Sequence, residues 1–291
     1  MILITGASGH IGRELVHLLR DKGVEFRVLV PGEAGTAELE QAGVEVVSCD
    51  FDDLKRLAGA MKKAERLFLA SPPDPEQATK QGLLVKAAQK AHVQHVIKLS
   101  SQGATSDAPS RIARWHAQTE QQIEGSGLDF TFLRPHYVMQ NILKFEHVIT
   151  IENAFYAPMG QGRVSMVDAR DIAAVATAVL LGNGDTGMAY EITGPEALSF
   201  EDVANKLSAI RKRQVTYVDI PPEKALEGML RAGTPDWLAD AILELYADYR
   251  SGAGEQVTDV VERLTDQRPR SFDEFAVDYA EHFSRRKTDL G

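Results

Sequence analysis

The sequence predicts an α/β fold built on a doubly wound parallel sheet, with a smaller, mainly helical lobe on the C-terminal side. Three observations predict it. An apolar strand, Ile2-Leu3-Ile4-Thr5, runs straight into the glycine turn Gly6-Ala7-Ser8-Gly9-His10-Ile11-Gly12 and then into a helical pattern from Ile11 to Lys22. Short apolar runs then alternate with amphipathic stretches as far as Pro135, which is the rhythm of right-handed crossovers between parallel strands. Past Arg134-Pro135 the rhythm breaks, and from Phe200 onward helical periodicity dominates.

The first strand and its turn form the most informative segment. Glycines at this spacing let backbone N–H groups approach a pyrophosphate, which then sits on the positive end of the following helix. Gly6, Ala7, Ser8, Gly9, His10, Ile11 and Gly12 are therefore the candidate dinucleotide cradle of a Rossmann-type domain. The second strand, Phe26 to Val30, leads to Pro31-Gly32-Glu33. The third, Val44 to Ser48, is followed by Cys49 and Asp50-Phe51-Asp52-Asp53. Asp50 is placed to accept from an adenine amino group and Phe51 to pack the ring, while Asp52 or Asp53 caps a helix starting near Leu54.

The fourth strand, Leu67 to Ala70, ends at Ser71-Pro72-Pro73, a stiff polar edge placed beside the ribose. The fifth, His95 to Ser100, leads into Ser101-Gln102, with Ser100 near the nicotinamide, and the sixth runs from Phe130 to Leu133. Helices over Thr36 to Ala42, Leu54 to Met61, Gln77 to Ala91 and Arg111 to Glu124 connect them. Each polar turn could equally be simple turn chemistry.

The nucleotide-binding domain is thus expected over 1–135, rejoined by about 163–195 through Val164 to Val167, a helix from Ala169 to Leu181 and a strand from Met188 to Thr193. Residues 136–162 and 196–291 are expected to form the second lobe and roof the cleft. Asp168 with Asp171, Ser199 with Asp202, and Ser271 with Glu274 read as helix starts.

Composition excludes several function classes. The chain has 291 residues, 44% apolar and 25% charged, enough to bury a large core. Its net charge of −10 would repel nucleic-acid phosphates, so no direct nucleic-acid binding is expected. The single cysteine, Cys49, excludes an internal disulfide and any multi-cysteine metal site, and suits a reducing compartment. No metal site is expected. The longest mainly apolar stretch, Ile172 to Leu181, is too short to span a bilayer, and the first strand leaves no room for a signal peptide. A cytoplasmic monomer or homodimer acting on a small molecule is the expectation.

The glycine turn, Cys49-Asp50-Phe51-Asp52, Trp115-His116 with Glu120, and Leu133-Arg134-Pro135 followed by Tyr137, Met139 and Asn141 together resemble the NmrA-like branch of the atypical short-chain dehydrogenase/reductases. The similarity runs over nearly the whole chain, through Val167-Asp168-Ala169-Arg170-Asp171 and Gly194-Pro195. The resemblance implies NAD(P)(H) as cofactor. It implies two classes of activity: reduction of a quinone, a dye or a similar conjugated small molecule, as in the family's quinone, triphenylmethane-dye and azo reductases, or non-enzymatic sensing of the dinucleotide, as in its regulator.

Ordinary short-chain dehydrogenases carry a Tyr-x-x-x-Lys pair on the helix after the fifth strand, and Arg111 to Glu120 contains neither residue. Alignment of the helix end with isoflavone-type reductases puts His116 where those enzymes carry a lysine. An imidazole can give or take a proton near neutrality, although His116 and Glu120, four apart, could instead form only a local surface pair. Tyr137, with His136, Met139 and Phe145, is expected either to face a flat substrate or to fill core between the lobes. His116 and Tyr137 are the candidate catalytic residues. Pro31 stands where NADPH-preferring relatives carry an arginine, and Glu33 could bond ribose hydroxyls, so NADH is expected over NADPH.

Overall fold

The computed structural model describes residues 1–32 and 36–284; Glu33 lies outside the described residues. The first half of the chain runs β1 (Ile2–Ile4), α1 (His10–Asp21), β2 (Phe26–Val30), α2 (Thr36–Gln41), β3 (Glu45–Ser48), α3 (Leu54–Ala60), β4 (Arg66–Leu69), α4 (Gln77–Lys90), β5 (His95–Leu99), α5 (Arg111–Glu124) and β6 (Asp129–Pro135). The second half begins with a 3-10 turn over Met139–Phe145 and continues α6 (Glu146–Glu152), β7 (Ala154–Ala157), β8 (Arg163–Val164), α7 (Ala169–Leu180) and β9 (Met188–Ile192). It closes with β10 (Leu198–Ser199), α8 (Phe200–Arg211), β11 (Thr216–Asp219), α9 (Pro222–Arg231), α10 (Asp236–Arg250), α11 (Val260–Thr265), α12 (Phe272–Asp278) and α13 (Ala280–Phe283).

Seven strands form one parallel sheet in the order β3-β2-β1-β4-β5-β6-β9. The strands are nearly continuous apolar runs because both faces are covered. On one face Ile2, Ile4, Phe68, Ile97 and Leu133 pack against α1, α7 and α11; on the other, Leu3, Leu67, Leu69, Val96 and Phe132 pack against α3, α4 and α5. The order reverses between β1 and β4, so a crevice opens there beyond the strands' carboxyl ends. Thr5 pins this edge: its hydroxyl donates to the Ala70 carbonyl at 2.8 Å and accepts from the Ala70 amide at 2.8 Å.

The second lobe has its own core, in which Tyr137, Phe155, Phe200, Tyr217, Tyr246 and Tyr249 form a contiguous aromatic cluster under α8, α10 and α12. Two small sheets frame it, β7 with β11 in parallel and β8 with β10 antiparallel.

The expected division at residue 196 needs one correction, because α11 returns to the first domain and buries Val260, Val261 and Leu264 beside α7 and β9. Thr258 stitches that return, donating to the Glu191 carbonyl at 2.7 Å. A second correction concerns Val164 to Val167, which rejoins the first domain only at its end, since Val164 and Met166 lie in the second core and Val167 in the first. β8 pairs with β10, Val167 makes one bridge to Val138, and the seventh strand of the sheet is β9.

Both expected serine starts are capping boxes, Ser199 with Asp202 and Ser271 with Glu274, and Asp168 caps α7 through the Arg170 amide at 2.8 Å. Asp171 does more than oppose the helix dipole, since it accepts from the Arg270 backbone at 2.7 Å and pairs with its guanidinium. Among the described residues no helix is long and apolar enough to cross a membrane.

Candidate active site

The three glycines of the first turn do three different jobs. Gly6 has φ +71°, and a Cβ there would lie 2.9 Å from the Ala70 Cβ and 3.0 Å from its carbonyl oxygen, so only glycine lets β1 turn this close to β4. A Cβ on Gly12 would fall 2.1 Å from the Gly6 oxygen, so α1 must start with a bare backbone to lie against the turn. A Cβ on Gly9 meets only the Gly6 oxygen at 3.7 Å. The space in front of Gly9 is therefore open, and Ser8, Gly9 and His10 are exposed around it.

Helix α1 begins at that opening without a side-chain cap and without an acidic residue in its first turn. Among the described residues the amides of His10, Ile11 and Gly12 have no acceptor, which leaves them free for an anion at the positive helix end. These residues fit a dinucleotide pyrophosphate, the group that the fold implies here. Ala7, also in the turn, is buried beneath them.

Along the same edge, Asp50 closes a turn by accepting from the Asp52 amide at 3.1 Å through Oδ1. Asp53, not Asp52, caps α3, accepting from the Lys55 and Arg56 amides at 3.0 Å each. Phe51 packs partly buried against the core beneath. Ser71 accepts from Gln81 Nε2 at 2.7 Å, and Pro72 follows it exposed. Arg27 cannot serve a 2′-phosphate, because its guanidinium is paired with Glu45 and donates to the Ala60 carbonyl at 2.9 Å.

Helix α5 turns His116 and Glu120 toward the sheet, and they are not partners of each other. Glu120 is buried and grips Arg134 of β6 with both oxygens, at 2.5 and 3.1 Å, a charge-assisted fork. Ser100 donates to Glu120 at 2.5 Å. The hydroxyl expected at the nicotinamide is thus committed to a buried carboxylate, because Ser100 shares the α5 side of β5 with position 98. Glu191 of β9 lies 3.6 Å from Arg134, and burial pushes its carboxyl up to about 7.

His116 has its partner in β5. Lys98, fully buried in β5, places its Nζ 3.0 Å from His116 Nδ1, 2.9 Å from Gln81 Oε1 and 3.2 Å from the Leu99 carbonyl. Gln77 of α4 approaches the same Nδ1 at 3.3 Å. A polar chain therefore runs from Ser71 through Gln81 and Lys98 to His116, at the carboxyl ends of β4 and β5. Burial holds the Lys98 amine down to about 7, against the opposing pull of Glu120. Burial, and then the Lys98 charge, hold the His116 imidazole well below its usual 6.5. The readable signal for Lys98 is a charge inside the apolar run Val96-Ile97-Lys98-Leu99.

Tyr137 falls elsewhere. It is buried edge-on against Phe200 and Tyr249, its hydroxyl is paired with that of Tyr246, and desolvation pushes its pKa well above 10. It shares no partner with His116. Met139 and Phe145 join the same core. His136 is buried beside the Gly254 carbonyl, with its imidazole held down to about 4 by desolvation. Of the two expected roles for this group, filling core is the one its burial fits.

The sequence matches the NmrA-like family over residues 1–276. It is 40% identical over 287 residues to the NAD(P)H azoreductase of Xenophilus azovorans, covering 97% of this chain and 99% of that one. It is 33% identical to the (4-alkanoyl-5-oxo-2,5-dihydrofuran-3-yl)methyl phosphate reductase of Streptomyces griseus, covering 98% of this chain and 99% of that one.

Among solved structures, an NADPH-dependent quinone oxidoreductase of Escherichia coli complexed with NADPH superposes with a TM-score of 0.89 at 25% identity, over 97% of this chain and all of that one. The triphenylmethane reductase of Citrobacter sp. shares the fold, with a TM-score of 0.86 at 23% identity over 96% of this chain and 100% of that one. With its open glycine cradle at the switch point and this match along almost its entire length, the chain belongs to the NmrA-like family.

Proposed function

We propose that this chain is an NAD(P)H-dependent reductase of electron-poor conjugated small molecules such as quinones and azo dyes. The observation that carries the reading is the cradle in front of Gly9: three unpaired amides at a helix end, open space where any side chain would intrude, and the proton-bearing pair of Lys98 on β5 and His116 on α5 beside it. A bound reduced nicotinamide would supply the hydride. The relatives' names support the substrate class, since an azo group, a quinone and the ring alkene of a dihydrofuranone, which carries two carbonyl groups on one of its carbons, are all conjugated acceptors.

The protein's own part is positioning and proton supply. Gly6 to Gly12 hold the pyrophosphate, Asp50 and Phe51 the adenine side, and Ser71 and Pro72 the ribose edge. Ser100 acts indirectly, by fixing Glu120 under α5. His116 gives a proton to the substrate after reduction, and the mutual pairing of Lys98 and His116 takes the place of the missing tyrosine and lysine. For the dinucleotide, Pro31 and the committed Arg27 leave no dedicated arginine for a 2′-phosphate on β2. The relatives are named for NADPH or for either form and give the expected NADH preference no support. We therefore read the site as accepting both. The single cysteine suits the cytoplasm, where thiols are kept reduced.

Calorimetric titration with NADH, NAD, NADPH and NADP, followed by an absorbance assay of cofactor oxidation with quinones and azo dyes, tests this. Tight binding with turnover is expected. Tight binding of oxidised and reduced forms alike, with no turnover on any acceptor, would make the protein a dinucleotide sensor instead.

A further inference from the structure

We propose that Lys98 is a positioning residue that holds His116 as its Nε2–H tautomer and refills it with a proton during turnover. The inference rests on the reading of His116 as proton donor. Its basis is the donor count around one buried amine. An ammonium has three N–H bonds and no acceptor, and Lys98 has three acceptors within reach: His116 Nδ1 at 3.0 Å, Gln81 Oε1 at 2.9 Å and the Leu99 carbonyl at 3.2 Å. Nδ1 must then be bare, so the proton of the neutral imidazole sits on Nε2. Among the described residues Nε2 has no partner, and His116 as a whole is half-buried. Nε2–H is the edge of the ring left for a substrate.

The surroundings keep this arrangement one-sided. From α4 the pair is faced by the uncharged Gln77 and Gln81, and from α5 by Glu120, whose carboxylate is already occupied by Arg134 and Ser100. Between Ile97 and Leu99, a methionine or leucine would fill position 98 without the cost of burying a charge. The lysine is therefore unexplained by packing alone.

The proton balance is complete. When reduction leaves negative charge on a substrate nitrogen or oxygen, the Nε2–H bond breaks as the new N–H or O–H bond forms. One Nζ–H bond of Lys98 breaks as Nδ1–H forms, leaving a neutral amine and a neutral imidazole with its proton on the other nitrogen. Once the product departs, Nε2 takes a proton from water and Nδ1 returns its own to Lys98. The low-lying amine, at about 7, makes the transfer inexpensive near neutrality.

The test is Lys98→Met in the full chain with two independent readings. Nitrogen-15 NMR of the imidazole below about pH 7, where Lys98 is an ammonium, is expected to show the Nε2–H tautomer in the wild type and a larger share of Nδ1–H in Lys98→Met, where the longer contact from Gln77 is the donor left to Nδ1. Steady-state kinetics with a quinone or azo dye are expected to show kcat falling as pH rises through about 7 in the wild type. In Lys98→Met that limb disappears and kcat drops roughly 10- to 100-fold at low pH, with KM and dinucleotide affinity held.

His116→Gln, which keeps an acceptor for Lys98, should lose the same limb, and the double variant should be no slower than either single one. An unchanged tautomer in Lys98→Met, or an unchanged pH limb in a folded variant, overturns the inference. A wild type that turns over none of the acceptors overturns the reductase reading instead, and the tautomer measurement still decides the positioning role.

Discussion

Replacing Lys98 with methionine also tests the buried amine through stability alone, without any substrate. A lysine whose pKa falls from 10.5 unfolded to about 7 folded holds fewer protons in the folded state across that window. Its contribution therefore makes the fold more stable as pH rises from about 7 towards 10.5, and below about 7 the full cost of the buried charge is present. At about 1.4 kcal/mol for each pH unit, the ceiling is about 5 kcal/mol, of which about 2 kcal/mol should be recovered between about pH 7 and about pH 9. Lys98→Met carries no such term.

The lost hydrogen bonds to His116, Gln81 and Leu99 shift the variant's curve by a constant and leave its slope alone. Urea unfolding at several pH values, kept below the range where Tyr137, Tyr246 and Tyr249 begin to ionise, gives the two curves. Wild type should gain about 2 kcal/mol relative to Lys98→Met over those two pH units. Parallel curves would mean that the amine titrates alike in both states, which would refute the claim that burial lowers it.

Other substitutions separate the remaining assignments. Gly9→Val should weaken dinucleotide binding by roughly 100-fold or more, about 2.7 kcal/mol, with the melting temperature unchanged, because a Cβ there meets only one atom at 3.7 Å; unaltered affinity by calorimetry would remove the cradle assignment. Gly12→Ala should instead lower stability by about 1–3 kcal/mol, since its Cβ lands 2.1 Å from the Gly6 oxygen, and thermal melts read it directly. His116→Ala should lower kcat by about 100-fold while leaving cofactor affinity intact. Tyr137→Phe should cost about 1 kcal/mol in chemical denaturation through the lost bond to Tyr246; a fall in turnover with stability unchanged would return Tyr137 to the reacting centre.

The expected elements match the observed ones to within one or two residues through most of the first domain, because parallel strands covered on both faces must be apolar and their helices must be amphipathic. Capping at Ser199, Ser271 and Asp168 was legible for the same local reason: a side chain three or fewer residues away satisfies the helix's free amides. The return of α11 to the first domain was not legible, since Val260, Val261 and Leu264 have the same short apolar pattern as a lobe helix and only their neighbours differ.

The site divides along the same line. The turn from Gly6 to Gly12 is a local device, with its geometry written in residues that lack a Cβ and its free amides in the helix that follows, so the sequence by itself determined the open turn that is the candidate dinucleotide cradle. His116 was legible as a candidate, but its meaning depends on Lys98, Gln77 and Gln81, which reach it from another strand and another helix. Ser100 was legible as a hydroxyl at a strand end, yet a carboxylate from α5 takes it. Tyr137, two residues past Pro135, was drawn instead into an aromatic cluster assembled from α8 and α10. The tertiary structure alone decided these roles, because the desolvation and hydrogen bonding that set a side chain's chemistry come from groups far apart in the chain.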